Sequence, residues 1–175
     1  VAQLGTLAVY PAVAKRMERR RMYTMATILV LLGYAVFFFA ERSILLVAGG
    51  AVLVFVGQAF IQTLMLMFLA DTVEYGEWKL GKRNEAITFS VQPLINKIGG
   101  ALATGIVSMT LILSGIKVDG GTVDAIGAEG QLIVKIAMFA VPLLMIVAGY
   151  IVYRKKYKIS EEFYGDMLKD LEARR

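Results

Sequence analysis

Lys97 lies about eleven residues inside the apolar run Ile87–Ile116. At ~1.5 Å per residue that is roughly 16 Å, about half of a ~30 Å hydrocarbon core. A lysine stem snorkels only a few ångströms, so an ammonium at that depth belongs in a bundle interior or a wet cavity, where it marks a substrate or ion path. No acid lies in the midplane of any apolar run here, so its counterpart is expected to be a ligand, water or a residue outside this sequence. Ser90, Pro93, Lys97, Gly100, Thr104 and Ser108 follow spacings of three and four residues and share one helix face. The hydroxyls of Ser90, Thr104 and Ser108 either line a path with Lys97 or merely pack helices. Pro93 and Gly99-Gly100 predict a loosened or kinked helix beside Lys97. Gly100, Ala101, Ala103 and Gly105 would admit a close neighbour helix.

A second constellation, Asp71 to Glu85, alternates acids and bases around Tyr75 and Trp78. It reads as a short amphipathic connection at the membrane boundary, with the two aromatic rings suited to the headgroup zone. Alone it is a solvated loop. With Arg19, Arg20 and Arg21 on the same side it could instead form an interhelical ion-pair cluster that makes and breaks as helices move. In a partly wet loop each such pair is worth about 1 kcal/mol or less.

The elements that must position these groups are membrane spans. Of 175 residues, 58% are hydrophobic and 19% charged, below the ~25% of soluble domains. Absence of cysteine and histidine removes disulfides, thiolate chemistry, imidazole bases and the commonest metal ligands. Nothing resembles a paired base and nucleophile, so enzymatic activity is not expected, and no cofactor or metal site is implied. A net charge of +5 does not mark a nucleic-acid surface, because the basic residues flank apolar runs. The runs 23–40, 44–70, 87–116 and 132–153 are read as spans, and 1–14 as the second half of a further one. That run opens on Val with no basic segment before it, unlike a signal peptide. Residues 1–159 thus form a membrane bundle and 160–175 an amphipathic tail. All but Arg42, Lys97, Lys117 and Lys135 of the 19 lysines and arginines fall on one side, which the positive-inside rule makes cytoplasmic, with the C-terminus. An all-α, multi-pass protein of the cell membrane is expected.

The stretch ADTVEYGEWKLGKRNEAITFSVQPLINKIGGALATG closely resembles the glycoside–pentoside–hexuronide cation symporters. Tyr10-Pro11 with the basic cluster after it, and the tail YKISEEFYGDMLKDLEARR, are also similar to members of that family. The resemblance implies a major-facilitator fold of two six-helix halves with sugar bound between them. This chain would hold the end of helix eight and helices nine to twelve. On that reading Lys97 matches a helix-eleven lysine lining the sugar and cation cavity, and Gln92 a sugar-binding glutamine. Pro93 stands where the melibiose branch has a hydroxyl residue. Gln62 stands where that branch has a tryptophan facing the sugar, and Thr104 joins the candidate substrate-binding residues. Arg19, Arg20, Asp71, Glu74, Arg83 and Glu85 match the cytoplasmic gate and coupling network. The coupling cation, sodium or proton, would be bound mainly by the N-terminal half, absent from these residues. The implied partners are a sugar or glycoside, the lipid bilayer and that other half, with no nucleic acid.

Gln92 and Lys97 are five positions apart, roughly 140° around an ideal helix, so sharing a cavity requires a distorted helix or a broad cavity. Other classes remain: a non-transporting sensor or accessory protein of the same fold, and a channel lined by Lys97. A lone lysine without a ring of repeats is a poor filter.

Overall fold

The computed structural model describes residues 10, 13, 17–40, 43–116, 118–119, 122–123, 127–157 and 159–174. Four helices are long and apolar enough to cross a membrane: α1 Arg19–Phe39, α2 Ile44–Leu80, α3 Glu85–Leu113 and α4 Ala128–Lys156. A fifth, α5 Glu161–Arg174, follows on the tail. Between α3 and α4, β1 Val118–Asp119 pairs antiparallel with β2 Thr122–Val123. The half-span expected over 1–14 falls outside the described residues apart from Tyr10 and Val13, as does part of the loop 117–131.

α1 and α2 form the packed heart of the described bundle. Tyr10, Met22, Ala26, Phe60 and Leu64 make one buried cluster, and the Tyr10 hydroxyl donates to the Met67 sulfur at 2.8 Å. Glycines bring the two backbones together. A Cβ built on Gly57 would sit 2.6 Å from Val30 Cγ2 and 2.8 Å from the Ala26 carbonyl; one on Gly33 would sit 2.6 Å from Val54 Cγ2 and 2.9 Å from the Gly50 carbonyl. Neighbouring backbone cannot yield as a flexible side chain can, so a methyl there forces the helices apart. Gly57→Ala is expected to cost about 1–3 kcal/mol and to lower the thermal unfolding midpoint of the purified intact protein; an unchanged midpoint would contradict the close packing. The approach expected at Gly100 and Gly105 is not made within the described residues: both face open space, as does Gly99, and α3 has no buried residue.

The stretch Asp71–Leu80 is not a connecting loop. It continues α2 for ten residues beyond the apolar run, and Gly81, in the left-handed region at φ 65°, ends the helix. Its Glu and Lys residues are good helix formers, and Gly81 supplies the first αL stop. At 37 residues the helix is about 56 Å long by its rise per residue, well beyond a ~30 Å core, so its last turns stand in water. The irregular backbone expected beside Lys97 is found elsewhere. Pro93 lies inside an uninterrupted α3, whereas α4 contains a π-helical turn, Ile136–Ala140, just before Pro142. Proline has no N–H to offer the preceding turn, and a widened turn is one way a helix absorbs that loss.

Candidate functional site

Two groups of polar residues stand out, one within the spans and one at their basic end. Within the spans, Gln62 and Thr63 of α2 and Gln92 and Asn96 of α3 line an open cleft of about 320 Å³, walled by Met65 and Leu66. Gln92 and Asn96 are four residues apart and therefore stack on one face of α3. The structure thus brings Gln62 and Gln92 to the same cleft. It adds Asn96, whose i, i+4 relation to Gln92 was the available signal.

Lys97 does not line this cleft. It is exposed, on a different stripe of α3, where ideal helical geometry puts it in the absence of a break at Pro93. Thr104, seven residues on, shares its face, and its hydroxyl donates back to the Gly100 carbonyl at 2.9 Å. Ser90 bonds back to Ile87 in the same way at 2.7 Å. Each hydroxyl has used its only donor on its own helix and retains acceptor lone pairs alone.

At the basic end, α1, α2, the end of α4 and α5 meet around Asp71. Its carboxylate is ion-paired with Arg19 and accepts a hydrogen bond from the Tyr157 hydroxyl at 3.0 Å. The Arg19 amide donates to Glu161 at 2.9 Å, and its guanidinium lies 5.2 Å from the centre of the Tyr164 ring. The Tyr164 hydroxyl donates to Glu74. Burial and the Glu74 carboxylate push the Tyr164 phenol up to about 12; burial and the Asp71 charge raise Tyr157 as well. Both phenols therefore remain neutral donors at physiological pH. Asp71 is only 3% exposed, which corrects the expectation of a wet, weak pair. Removing Arg19 would leave a nearly buried carboxylate held by one phenol, a loss of about 3–5 kcal/mol for a buried pair rather than ~1 for a surface one.

The expected single network is divided in two. Arg83 pairs with Glu85 at 3.1 Å and Glu77 at 3.3 Å around the α2–α3 turn, apart from Asp71 and Glu74. Arg20 donates to the Tyr157 carbonyl at 2.9 Å instead of joining a carboxylate. The tail is also more than a charged extension. Met167 and Leu171 are buried, the Trp78 indole N–H donates to Asp170 at 2.7 Å, and Phe163 packs edge-on to Trp78 at 5.7 Å. The hydrogen bond from Trp78 and the Arg174 charge hold the Asp170 carboxyl below its ordinary value. Trp78 thus docks the tail. The i, i+4, i+8 spacing of Phe163, Met167 and Leu171 was the signal in the sequence.

Four apolar helices of membrane length with an amide-lined cleft and a charged end define a multi-pass membrane protein. The family described as MFS/sugar transport protein matches residues 1–161, and the chain belongs to it; it is a multi-pass, all-α membrane protein, and the family resemblance read from the sequence holds. It is similar to the lactose permease of Lactobacillus delbrueckii subsp. bulgaricus (37% identical over 97% of this chain). It is also similar to the raffinose carrier protein of Pediococcus pentosaceus (35% over 97%). The putative 2,3-dihydroxypropane-1-sulfonate exporter of Escherichia coli is 29% identical over 94% of it. The chain spans 27%, 26% and 35% of the lengths of these three relatives.

Proposed function

We propose that this chain forms the C-terminal part of a secondary active transporter that couples movement of a sugar or glycoside to a cation, sodium or proton, by alternating access. The observation that carries this reading is the convergence of Gln62, Gln92 and Asn96 on one open cleft within the spans. A primary amide offers two donors and an acceptor, which suits the adjacent hydroxyls of a sugar. Three amides on two helices match an array of hydroxyls better than they match a charged or apolar solute. Lys97 adds a cationic donor one residue from Asn96, and among the described residues it makes no hydrogen bond or ion pair. Its stripe is the side of α3 offered to an opposing helix bundle, from which the carboxylates that bind the cation would come. The basic end is cytoplasmic, the C-terminus lies inside, and Arg83 and Glu85 at the rim meet the opposing half when the carrier closes. Arg19, Asp71 and Glu74 hold α1, α2 and α5 together as one block behind that rim.

The chain contains no cysteine, so Asn96→Cys gives a reporter unique within these residues. In the intact protein a β-galactoside or a related disaccharide is expected to slow alkylation of that cysteine by a membrane-permeant maleimide several-fold. Unchanged alkylation across a panel of glycosides would contradict the placement of substrate in this cleft.

A further inference from the structure

A separate cleft of about 510 Å³ opens at the basic end between α1 and the end of α4. Three guanidinium groups, Arg20, Arg21 and Arg154, stand at it with a single carboxylate, Glu18. Glu18 is 3.6 Å from Arg21, and both side chains are largely exposed, at 56% and 74%, so this contact leaves Arg21 free to turn to a stronger anion. Arg154 makes no ion pair among the described residues, and Arg20 uses one nitrogen on the Tyr157 carbonyl.

Deeper along α1 the lining changes character. Arg20, Thr24 and Ile28 form one i, i+4 stripe and Arg21, Met25 and Leu29 the next. Over eight residues, about 12 Å of helix, the wall passes from guanidinium through hydroxyl and thioether to hydrocarbon. Ile28 is 51% exposed. That is the profile of an amphiphile: a phosphate at the water boundary and a chain in the membrane. A free phosphate would use the arginines but gain nothing from Met25, Ile28 and Leu29. Guanidinium forks suit phosphate oxygens, and basic pockets between helices on the cytoplasmic side recognise anionic headgroups.

We propose that this cleft binds an anionic phospholipid, its headgroup phosphate held by Arg20, Arg21 and Arg154 and an acyl chain lying along Met25, Ile28 and Leu29. The site is independent of the sugar cleft and would tie the α1–α4 face to the charged leaflet. Native mass spectrometry of the intact, detergent-purified protein tests it, with phosphatidylglycerol or phosphatidylcholine of identical acyl chains added. Wild type is expected to retain one phosphatidylglycerol in preference to phosphatidylcholine. Arg21→Gln/Arg154→Gln is expected to reduce that preference about twenty-five-fold, at roughly fivefold per arginine, and Arg154→Gln alone by about fivefold. The single variant is the reading to use if the double one does not purify as a folded protein. Millimolar inorganic phosphate is expected not to displace the lipid. Equal retention of both lipids by wild type, an undiminished preference in Arg154→Gln, or displacement by inorganic phosphate would each overturn the proposal, the last by showing a site for a free anion.

Discussion

Lys97→Leu in the intact carrier is expected to abolish gradient-driven uptake while leaving membrane insertion unharmed or improved. A lysine at the centre of a span costs about 2.5–3.5 kcal/mol on insertion scales, so its replacement by leucine removes a burden on the folded bundle. The function lost is the other side of that balance. A charge-assisted hydrogen bond is worth about 1.5–3 kcal/mol, and losing one lowers transport roughly tenfold to a hundredfold or more. The pairing of better or equal expression with lost uptake separates a ligand-facing lysine from a structural one. A structural lysine would show the reverse, poor folding with residual activity proportional to the protein present. Near-normal accumulation per molecule of Lys97→Leu would refute the role assigned to it.

The second large effect concerns the Arg19–Asp71 pair. Because Asp71 is nearly buried, Arg19→Gln should lower the thermal midpoint and slow uptake well beyond the effect of a surface pair. Asp71→Asn is expected to do the same from the other direction, by leaving the guanidinium with Tyr164 alone. In the double variant Arg19→Gln/Asp71→Asn no charge is left uncompensated. Two neutral amides and the Tyr157 phenol can share hydrogen bonds, so part of the loss should return. The expected coupling between the two substitutions is about 1–3 kcal/mol, read from thermal midpoints and initial uptake rates. Arg83→Gln combined with Asp71→Asn should simply add, because Arg83 is engaged with Glu77 and Glu85. Additivity for Arg19 with Asp71, or rescue by Arg83→Gln, would show that the charges are wired differently.

This contrast shows where the sequence was legible. Hydropathy pointed to four long apolar helices, since a membrane imposes length and apolarity directly, but it did not show that α2 runs ten residues past its apolar run. The side of the basic residues followed from the same pattern, and the structure gathers α1's start, α2's end, α3's start and the tail at one end. Partner choice was not legible. Arg19 and Arg83 have the same charge and both lie near acids in sequence or topology; only the extra ten residues of helix at the end of α2 decide which one reaches Asp71. The small residues of α3 drew attention as a packing surface, yet among the described residues the close approach is made at Gly33, Gly50 and Gly57. A glycine pattern marks where helices can meet and does not name the helix that arrives. The cleft of Gln62, Gln92 and Asn96 was half visible: the family resemblance pointed to the glutamines, and the i, i+4 relation of Asn96 to Gln92 was a signal left unused. Lys97 and Gln92 took the separate faces that an unbroken helix dictates, so of the two routes to a shared cavity, a distorted helix or a broad cavity, the first is not taken at Pro93.

The most direct test of a coupled carrier is accumulation. Intact protein containing this chain, reconstituted into proteoliposomes, should concentrate a labelled galactoside or related disaccharide above its external level under an imposed sodium or proton gradient. The accumulated sugar should leak back when an ionophore collapses that gradient, because the driving force is the cation and not the sugar. Equilibration to the external concentration and no further, with or without the gradient, or an absence of uptake across a panel of glycosides and both cations, would contradict a cation-coupled sugar transporter.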